Sequence, residues 1–317
     1  MASAKSRKLA VKYQKMLERV TKKGVTVSNR LSMGLYKDLI KQFKDSNYDF
    51  QPTIDKYSTA FTAQVEIGAI IAHMIGMVMY NRELAKQTPE TTHLAEKEDM
   101  QNMLLRAGIN PTGLATTQAI EPSLELFEGL AEELDLSAIE RQRIANRYAT
   151  TARTAGKEFT KRLTSRLSVS IVDIVSQELT EAQALKEIKR AFQLAGVSAR
   201  HDYWYTTIYR TETQIAMAGG RWQSANDPIS GELLWGFEYV TMGDQHVRPL
   251  HVQADGTVLP KDDLWWNINF PPCGFNCRCI AIEIFEKEKV KRSDVINVND
   301  SPNFETDWQA RPVVEGI

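Results

Sequence analysis

The chain has 317 residues and a formal net charge of −1, a length that suits two modest domains or one domain with extended segments. Hydrophobic residues make up 43% and charged residues 25% of it, fractions that are typical of an ordinary soluble globular protein and do not indicate disorder. The basic N-terminus lacks the continuous apolar segment and small-residue cleavage site of a signal peptide, so we expect no cleaved secretion signal.

The N-terminal segment is strongly basic. Residues 1–30 carry nine lysines and arginines against the single acid Glu18. Such a block favours a surface that meets a negatively charged partner, although a solvated helix face would give the same pattern. The candidates for contact with DNA phosphates in this segment are Lys5, Arg7, Lys8, Lys12 and Lys15.

The longest apolar stretch runs from Ile67 to Tyr80 and contains His73 and two glycines. Its length is below the roughly 20 residues that a membrane-spanning helix needs. We therefore predict a buried, methionine-rich helix and no stable membrane insertion, and the sequence leaves any further role of this segment open.

A long helix is predicted after an acidic segment at residues 88–136. Ser137 and Glu140 form a capping box, and the helix is expected to continue to about Leu179. Basic residues recur along it at i,i+4, which places each pair on one helix face. The candidates for DNA contact on this helix are Arg143, Arg147, Lys161, Arg162 and Arg166.

Two further helices and three strands follow. Thr180 and Gln183 form a second capping box, and Gly196 supplies a left-handed stop. The next helix, over about 198–225, contains Gly219-Gly220, which predicts a kink or a close contact. Strands are predicted near 233–241, 256–259 and 280–285, and the last of them shows alternating apolar residues.

These elements predict an α+β protein. The N-terminal two-thirds is mainly helical, and a small β-containing, loop-rich subdomain and an extended C-terminal arm follow. The predicted division is a helical region at 1–136, a domain at 137–292 that includes the β subdomain at 229–286, and an arm at 293–317 whose polar composition suits a segment lying on a partner.

Three short motifs follow one another in the second half of the chain. They are Arg210-Thr211-Glu212, then the segment from Asp244 to His251 with Arg248 inside it, then Pro271-Pro272-Cys273 leading to Cys277-Arg278-Cys279. Their order and spacing over about residues 180–285 resemble those of the Mu F-like family of phage head morphogenesis proteins. Each motif alone is weak, and the resemblance depends on the three together.

The resemblance implies a minor capsid protein of a tailed phage without enzymatic activity. Such a protein is expected to bind the portal inside the procapsid and to act in head assembly and in DNA packaging or ejection. The implied partners are the portal protein, capsid or scaffold proteins, and phage DNA. The implied location is the virion, inside the head near the portal, after assembly in the host cytoplasm.

The three cysteines, Cys273, Cys277 and Cys279, lie within seven residues of one another. An odd, clustered set argues against a disulfide framework. No cofactor is firmly indicated, but the three thiols and His251 could form a Cys₃His structural zinc site. The resemblance supports His251 in this role, because relatives carry a cysteine at the equivalent position. The alternative is that the cysteines pack as small hydrophobic residues beside a network formed by Asp244, Arg248 and His251.

Arg210 and Glu212 are two positions apart on a helix and so do not face each other. We expect one of them to reach the 244–251 loop, either as Glu212 with Arg248 or as Arg210 with Asp244. The competing function is a metal-assisted hydrolase or nuclease that uses His251 and the cysteines, with Glu212 as general base. The sequence offers no second acidic motif or nucleotide-binding loop in support of it.

Overall fold

The computed structural model describes residues 1–45, 47, 49–87, 129, 132, 134, 136–176, 180–198 and 202–285. Most of the acidic segment 88–136 and the whole predicted arm 293–317 lie outside these residues.

Long helices dominate the described part of the chain. They are α1 (Ala4–Lys44), α2 (Gln51–Gln87), α3 (Ala138–Ser176), α4 (Glu181–Ala195) and α5 (Tyr203–Ala225). The remaining elements are short: β1 (Gly236–Val240), α6 (Pro249–Ala254), β2 (Val258–Pro260), α7 (Trp266–Asn269) and β3 (Ile280–Ile284).

The three strands form one antiparallel sheet in the order β2-β1-β3. Phe237 of β1 lies opposite Leu259 of β2, and Tyr239 lies opposite Ala281 of β3. All five residues of β1 and of β3 are buried, so helices and loops cover both faces of the sheet. The predicted fold class, mainly helical with a small C-terminal sheet, is confirmed.

Helix ends follow the predicted capping signals. The Thr180 hydroxyl accepts a hydrogen bond from the Gln183 backbone N–H, and the Gln183 side chain bonds back to the backbone of Thr180. Gly196 ends α4 with a left-handed φ of 73°, a conformation that a side chain would strain. Ser137 and Glu140 make the same reciprocal contacts at the start of α3.

The glycine pair in α5 produces a close helix contact, and α5 remains one continuous helix. A Cβ atom on Gly220 would overlap the carbonyl oxygen of His73 in α2, and one on Gly76 would overlap the carbonyl oxygen of Met217 in α5. The backbones of α2 and α5 therefore touch directly, which is the second of the two outcomes predicted for Gly219-Gly220.

Helix α2 is a core helix. By length and composition alone it could span a membrane, but 72% of its most apolar window is buried inside the protein, as in the core of a soluble protein. His73 is fully buried there, and its two ring nitrogens pair with the Tyr148 hydroxyl at 2.7 Å and the Gln223 amide oxygen at 3.0 Å. Burial lowers the pKa of His73 to about 3, so the ring is neutral. The buried helix predicted from Ile67 to Tyr80 is confirmed.

The N-terminal helices and the sheet share one hydrophobic cluster, to which Tyr13, Ile75, Tyr148, Met217 and Ile282 belong. The cluster contains residues from both sides of the predicted boundary at 136/137, and that boundary stays a prediction.

The start of the chain also binds the β subdomain. Arg7 pairs with Asp255 at 2.6 Å, and the backbone N–H of Ser3 donates to Glu238 at 2.9 Å.

Candidate functional site

The β subdomain brings two of the predicted motifs into contact. Tyr239 comes from β1, and His251 lies on α6, whose first residue is Pro249, a position that proline favours. Cys277 and Cys279 belong to the turn at 273–279, here called the cysteine turn, which leads into β3. The short helix and the turn thus meet at one end of the central strand.

The donor atoms of His251, Cys277 and Cys279 all lie within 4.8 Å of one another, and all three residues are buried. His251 Nδ1 lies 3.3 Å from the sulfur of Cys279 and 3.7 Å from the sulfur of Cys277. The hydroxyl of Tyr239 lies 3.3 Å from the same nitrogen. Four side chains therefore converge on one small volume, and their donor set is of the kind that binds a soft divalent metal.

Cys273, the fourth residue predicted at this site, lies outside that group of three. Its thiol donates a hydrogen bond to the carbonyl oxygen of Asn269 at 3.3 Å, and it also contacts the Tyr239 hydroxyl. Sequence reasoning missed Tyr239. Its place on the predicted strand was the one available signal, and that signal does not distinguish a site residue from a core residue.

The three thiols differ in electrostatic environment. Burial raises the pKa of Cys273 and of Cys279. The hydrogen bond with Cys279 lowers the pKa of Cys277, and the contact with His251 acts in the same direction. The site therefore favours a thiolate at Cys277, and a thiolate is the form that binds metals.

Ionic contacts join the 244–251 loop to the cysteine turn. Both oxygens of Asp244 accept hydrogen bonds from the Arg278 guanidinium at 2.7 Å, which lowers the pKa of Asp244. Arg248 donates to the carbonyl oxygen of Phe275 at 2.5 Å. Since Arg278 lies between Cys277 and Cys279, these contacts fix the segment that carries both thiols.

Helix α5 reaches the cysteine turn through residues other than the predicted pair of Arg210 and Glu212. The Thr211 hydroxyl accepts a hydrogen bond from the backbone N–H of Asn276 at 3.1 Å, and Gln214 Nε2 donates to the carbonyl oxygen of Cys279 at 2.9 Å. Thr211 and Gln214 are three positions apart and so share one helix face, whereas positions 210 and 212 flank that face. Asp244 binds Arg278, and Arg248 binds the carbonyl oxygen of Phe275. Both partners lie in the cysteine turn, and they stand in place of the expected partners Arg210 and Glu212.

Glu212 is a buried carboxyl group, 8% exposed. Burial raises its pKa from 4.5 to about 7. The group is therefore largely protonated at slightly acidic pH, and its environment is that of a core residue.

The basic candidates on α1 form an exposed row. Lys5, Lys8, Lys12 and Lys15 alternate in spacing between three and four residues, and all four are exposed. We call these four residues the basic stripe. Arg7 lies off this row and is bound to Asp255, so its charge is already paired.

The basic candidates on α3 have different surroundings. Arg143, Lys161 and Arg166 are exposed. Arg162 lies over the Trp204 ring, 5.6 Å from its centroid, and its Nε is 3.7 Å from Glu158. Arg147 is half-buried, with its guanidinium directed toward Gly219. The exposed members of the set are thus three of the five.

Comparison with known proteins finds a family similar to the second half of the chain. The family model described as Phage Mu protein F like protein matches residues 155–282. A 73-residue stretch is 34% identical to the "Putative capsid assembly protein F" of Escherichia phage Mu and covers 23% of this chain and 16% of the Mu protein. No solved structure matches the chain. The family match includes all three motifs and confirms the resemblance that they indicated.

Proposed function

We propose that the chain is a minor head protein of a tailed phage that acts in capsid assembly, because residues 155–282 match the Mu F-like family model. The observation that carries the proposal is the family match, which extends from the second half of α3 to β3. In this role the protein binds the portal inside the procapsid, contacts capsid or scaffold proteins, and remains in the head near the portal.

The local chemistry of the motifs supports a structural role. Asp244 is paired with Arg278, Thr211 and Gln214 hold the cysteine turn, and Glu212 is buried in the helical core. A hydrolase of the metal-assisted kind needs an open coordination position for water. Here the Tyr239 hydroxyl lies 3.3 Å from His251 Nδ1, and the residues around it, which include Cys277 and Cys279, are buried. The arrangement therefore favours assembly over hydrolysis.

The basic stripe suits contact with DNA near the portal. Its residues recur about once per helical turn, so the charges follow one another at roughly 5 Å along α1. Exposed lysines at this spacing can neutralise phosphates and release counterions, which gives binding without sequence preference. We assign to this surface a role in packaging or ejection, when DNA passes the portal.

The test is co-purification of the full-length chain with the portal protein of the same phage. The full chain is required because α5 packs against both α1 and α2, so fragments 1–180 and 181–317 would each expose a buried face. We expect a stable complex with the portal, and heads assembled without the chain should package or eject DNA poorly. A folded chain that passes through portal-loaded resin unbound, together with normal infectivity of heads that lack it, would rule the proposal out.

Surface variants of the full chain can map the portal contact. Charge reversal at Lys5, Lys8 and Lys15 tests α1, and charge reversal at Arg143, Lys161 and Arg166 is the matched change on α3. All six residues are exposed, so we expect both variants to fold. Loss of portal binding in one variant alone would locate the contact on that helix.

A further inference from the structure

We propose that Tyr239, His251, Cys277 and Cys279 form a closed tetrahedral zinc site that holds the β subdomain together. The site does not depend on the role in head assembly, since it follows from the chemistry of four buried side chains.

The distances around His251 match the edges of a zinc coordination tetrahedron. With a Zn–S bond of about 2.3 Å and a Zn–N bond of about 2.0 Å, a sulfur and a nitrogen ligand lie about 3.5 Å apart. The two observed sulfur distances from Nδ1 are 3.3 and 3.7 Å. A nitrogen and an oxygen ligand lie about 3.3 Å apart in the same geometry, and the Tyr239 hydroxyl is 3.3 Å from Nδ1.

Hydrogen bonding accounts poorly for the three neighbours of His251 Nδ1. Nδ1 of an imidazole offers either one lone pair or one proton, so it makes one good hydrogen bond. Three groups nevertheless surround it: the thiols of Cys277 and Cys279 and the hydroxyl of Tyr239. In a metal site these three contacts are ligand-to-ligand edges, and each donor is satisfied by the ion at the centre.

The donor set selects zinc among the common divalent ions. Two thiolates and one imidazole form a soft site of the kind that zinc occupies in proteins, whereas calcium and magnesium prefer oxygen ligands. A coordinated metal ion strongly favours the deprotonated form of its ligands, so it also stabilises a phenolate at Tyr239. Tyr239 is 0% exposed and the other three ligands are at most 4% exposed, so the proposed site is closed to solvent. A closed site of this kind is structural.

The location explains what the metal would do. The four ligands come from β1, α6 and the cysteine turn, so one ion would connect three segments of a small sheet subdomain. Small domains often add a metal to a limited hydrophobic core in this way. Cys273 takes no part as a ligand, because its thiol is directed to the carbonyl oxygen of Asn269.

The first experiment measures metal binding by the reduced full-length protein. We expect one equivalent of Zn²⁺ to be bound after dialysis. Co²⁺ as a probe should give the intense visible bands of tetrahedral coordination together with a thiolate charge-transfer band of the size that two thiolates produce. X-ray absorption of the zinc-loaded protein should show two sulfur and two lighter ligands. Folded protein that retains no zinc and gives no visible bands with Co²⁺ would overturn the proposal.

Variants then assign the ligands. Cys277→Ser and Cys279→Ser should lose the stoichiometric zinc, and Tyr239→Phe should weaken binding by roughly tenfold or more. Cys273→Ser is the matched control, and it should keep both the zinc and the charge-transfer intensity. Loss of zinc in Cys273→Ser, with Tyr239→Phe unaffected, would overturn the assignment of the fourth ligand. If the Ser variants fold poorly, the sulfur count from X-ray absorption of the unaltered protein decides the same question.

Discussion

Gln214 of α5 donates a hydrogen bond from Nε2 to the carbonyl oxygen of Cys279 at 2.9 Å. Its own side-chain oxygen accepts from Gln14 of α1 at 2.8 Å, and Gln14 also donates to the carbonyl oxygen of Arg278 at 3.0 Å. Two buried amides thus join two helices to the cysteine turn.

Replacing Gln214 with alanine should destabilise the protein, because it removes the acceptor of one buried N–H of Gln14 and the donor to the buried carbonyl oxygen of Cys279. We expect a loss of about 1–3 kcal/mol in the free energy of unfolding, measured by denaturant titration. Gln142→Ala is the matched control. Gln142 is exposed on α3, so its loss should be within about 0.5 kcal/mol. Equal effects of the two changes would contradict the role of the amide chain.

Arg221 and Glu283 form a buried two-point ion pair between α5 and β3, with distances of 2.7 and 2.5 Å. The guanidinium also lies 4.9 Å from the centroid of the Tyr13 ring. Arg221→Met leaves a buried carboxylate unpaired and should cost about 3–5 kcal/mol in unfolding experiments. The double variant Arg221→Met with Glu283→Leu should recover part of that loss.

The exposed pair of Asp244 and Arg278 is the control for this measurement. Asp244→Asn should cost about 0–1 kcal/mol, since the pair is solvated. If Arg221→Met cost no more than Asp244→Asn, the buried pair would not be a determinant of stability.

Glu212 should make stability depend on pH. Its pKa is raised to about 7 in the folded state from 4.5, so the folded state holds its proton more tightly than the unfolded chain does. The resulting stabilisation is fully present below pH 4.5 and is lost as the pH rises through 7. From the size of the shift it amounts to about 3 kcal/mol.

The measurement is the free energy of unfolding at pH 5 and at pH 8 for the original chain and for Glu212→Gln. Other titrating groups contribute to both proteins, so the difference between the two pH profiles isolates Glu212. The profile of Glu212→Gln should fall less steeply between these pH values. Parallel profiles would show that Glu212 is not a buried acid.

The contact between α2 and α5 should tolerate no side chain at Gly220. Gly220→Ala places a methyl group against the carbonyl oxygen of His73 and should cost about 1–3 kcal/mol or more, as overpacking does. Gly68→Ala on α2 is the matched control. Its methyl group would lie 3.7 Å from the Tyr209 ring, an ordinary contact. That change should instead stabilise α2 by about 0.5–1 kcal/mol. Thermal unfolding should therefore show a lower midpoint temperature for Gly220→Ala and a slightly higher one for Gly68→Ala than for the original chain.

DNA binding by the basic stripe should depend strongly on salt. The triple change of Lys5, Lys8 and Lys15 to glutamine should weaken binding and reduce the slope of log affinity against log salt by about 0.9 for each phosphate that is no longer neutralised. The same charge change at Lys186, Lys189 and Arg190 on α4 serves as the control. A gel-shift series in which both variants behave alike would remove α1 from this role.

Much of the fold could be predicted from local signals. Capping residues such as Thr180 and Gly196 act within one turn of chain, so the pattern identifies them without knowledge of the tertiary structure. The contact of Gly220 with His73 depends on the relative position of two helices, so the glycine pair alone could not distinguish a kink from a contact. The pairing of Asp244 with Arg278 instead of Arg210 depends on which face of α5 meets the cysteine turn. Tyr239 was missed for the same reason, since strand alternation does not show what lies beside a buried residue.

The direct backbone contact at Gly76 and Gly220 has a consequence for modularity. Gly220 belongs to the matched stretch 155–282, whereas Gly76 and all of α2 precede it. The Mu F-like stretch therefore depends on a helix outside its own boundaries to cover one side of α5. If this stretch were transplanted alone into another protein, the face of α5 around Gly220 would be exposed. The receiving protein would have to supply a helix with a glycine at the matching position, so that the two backbones could again touch.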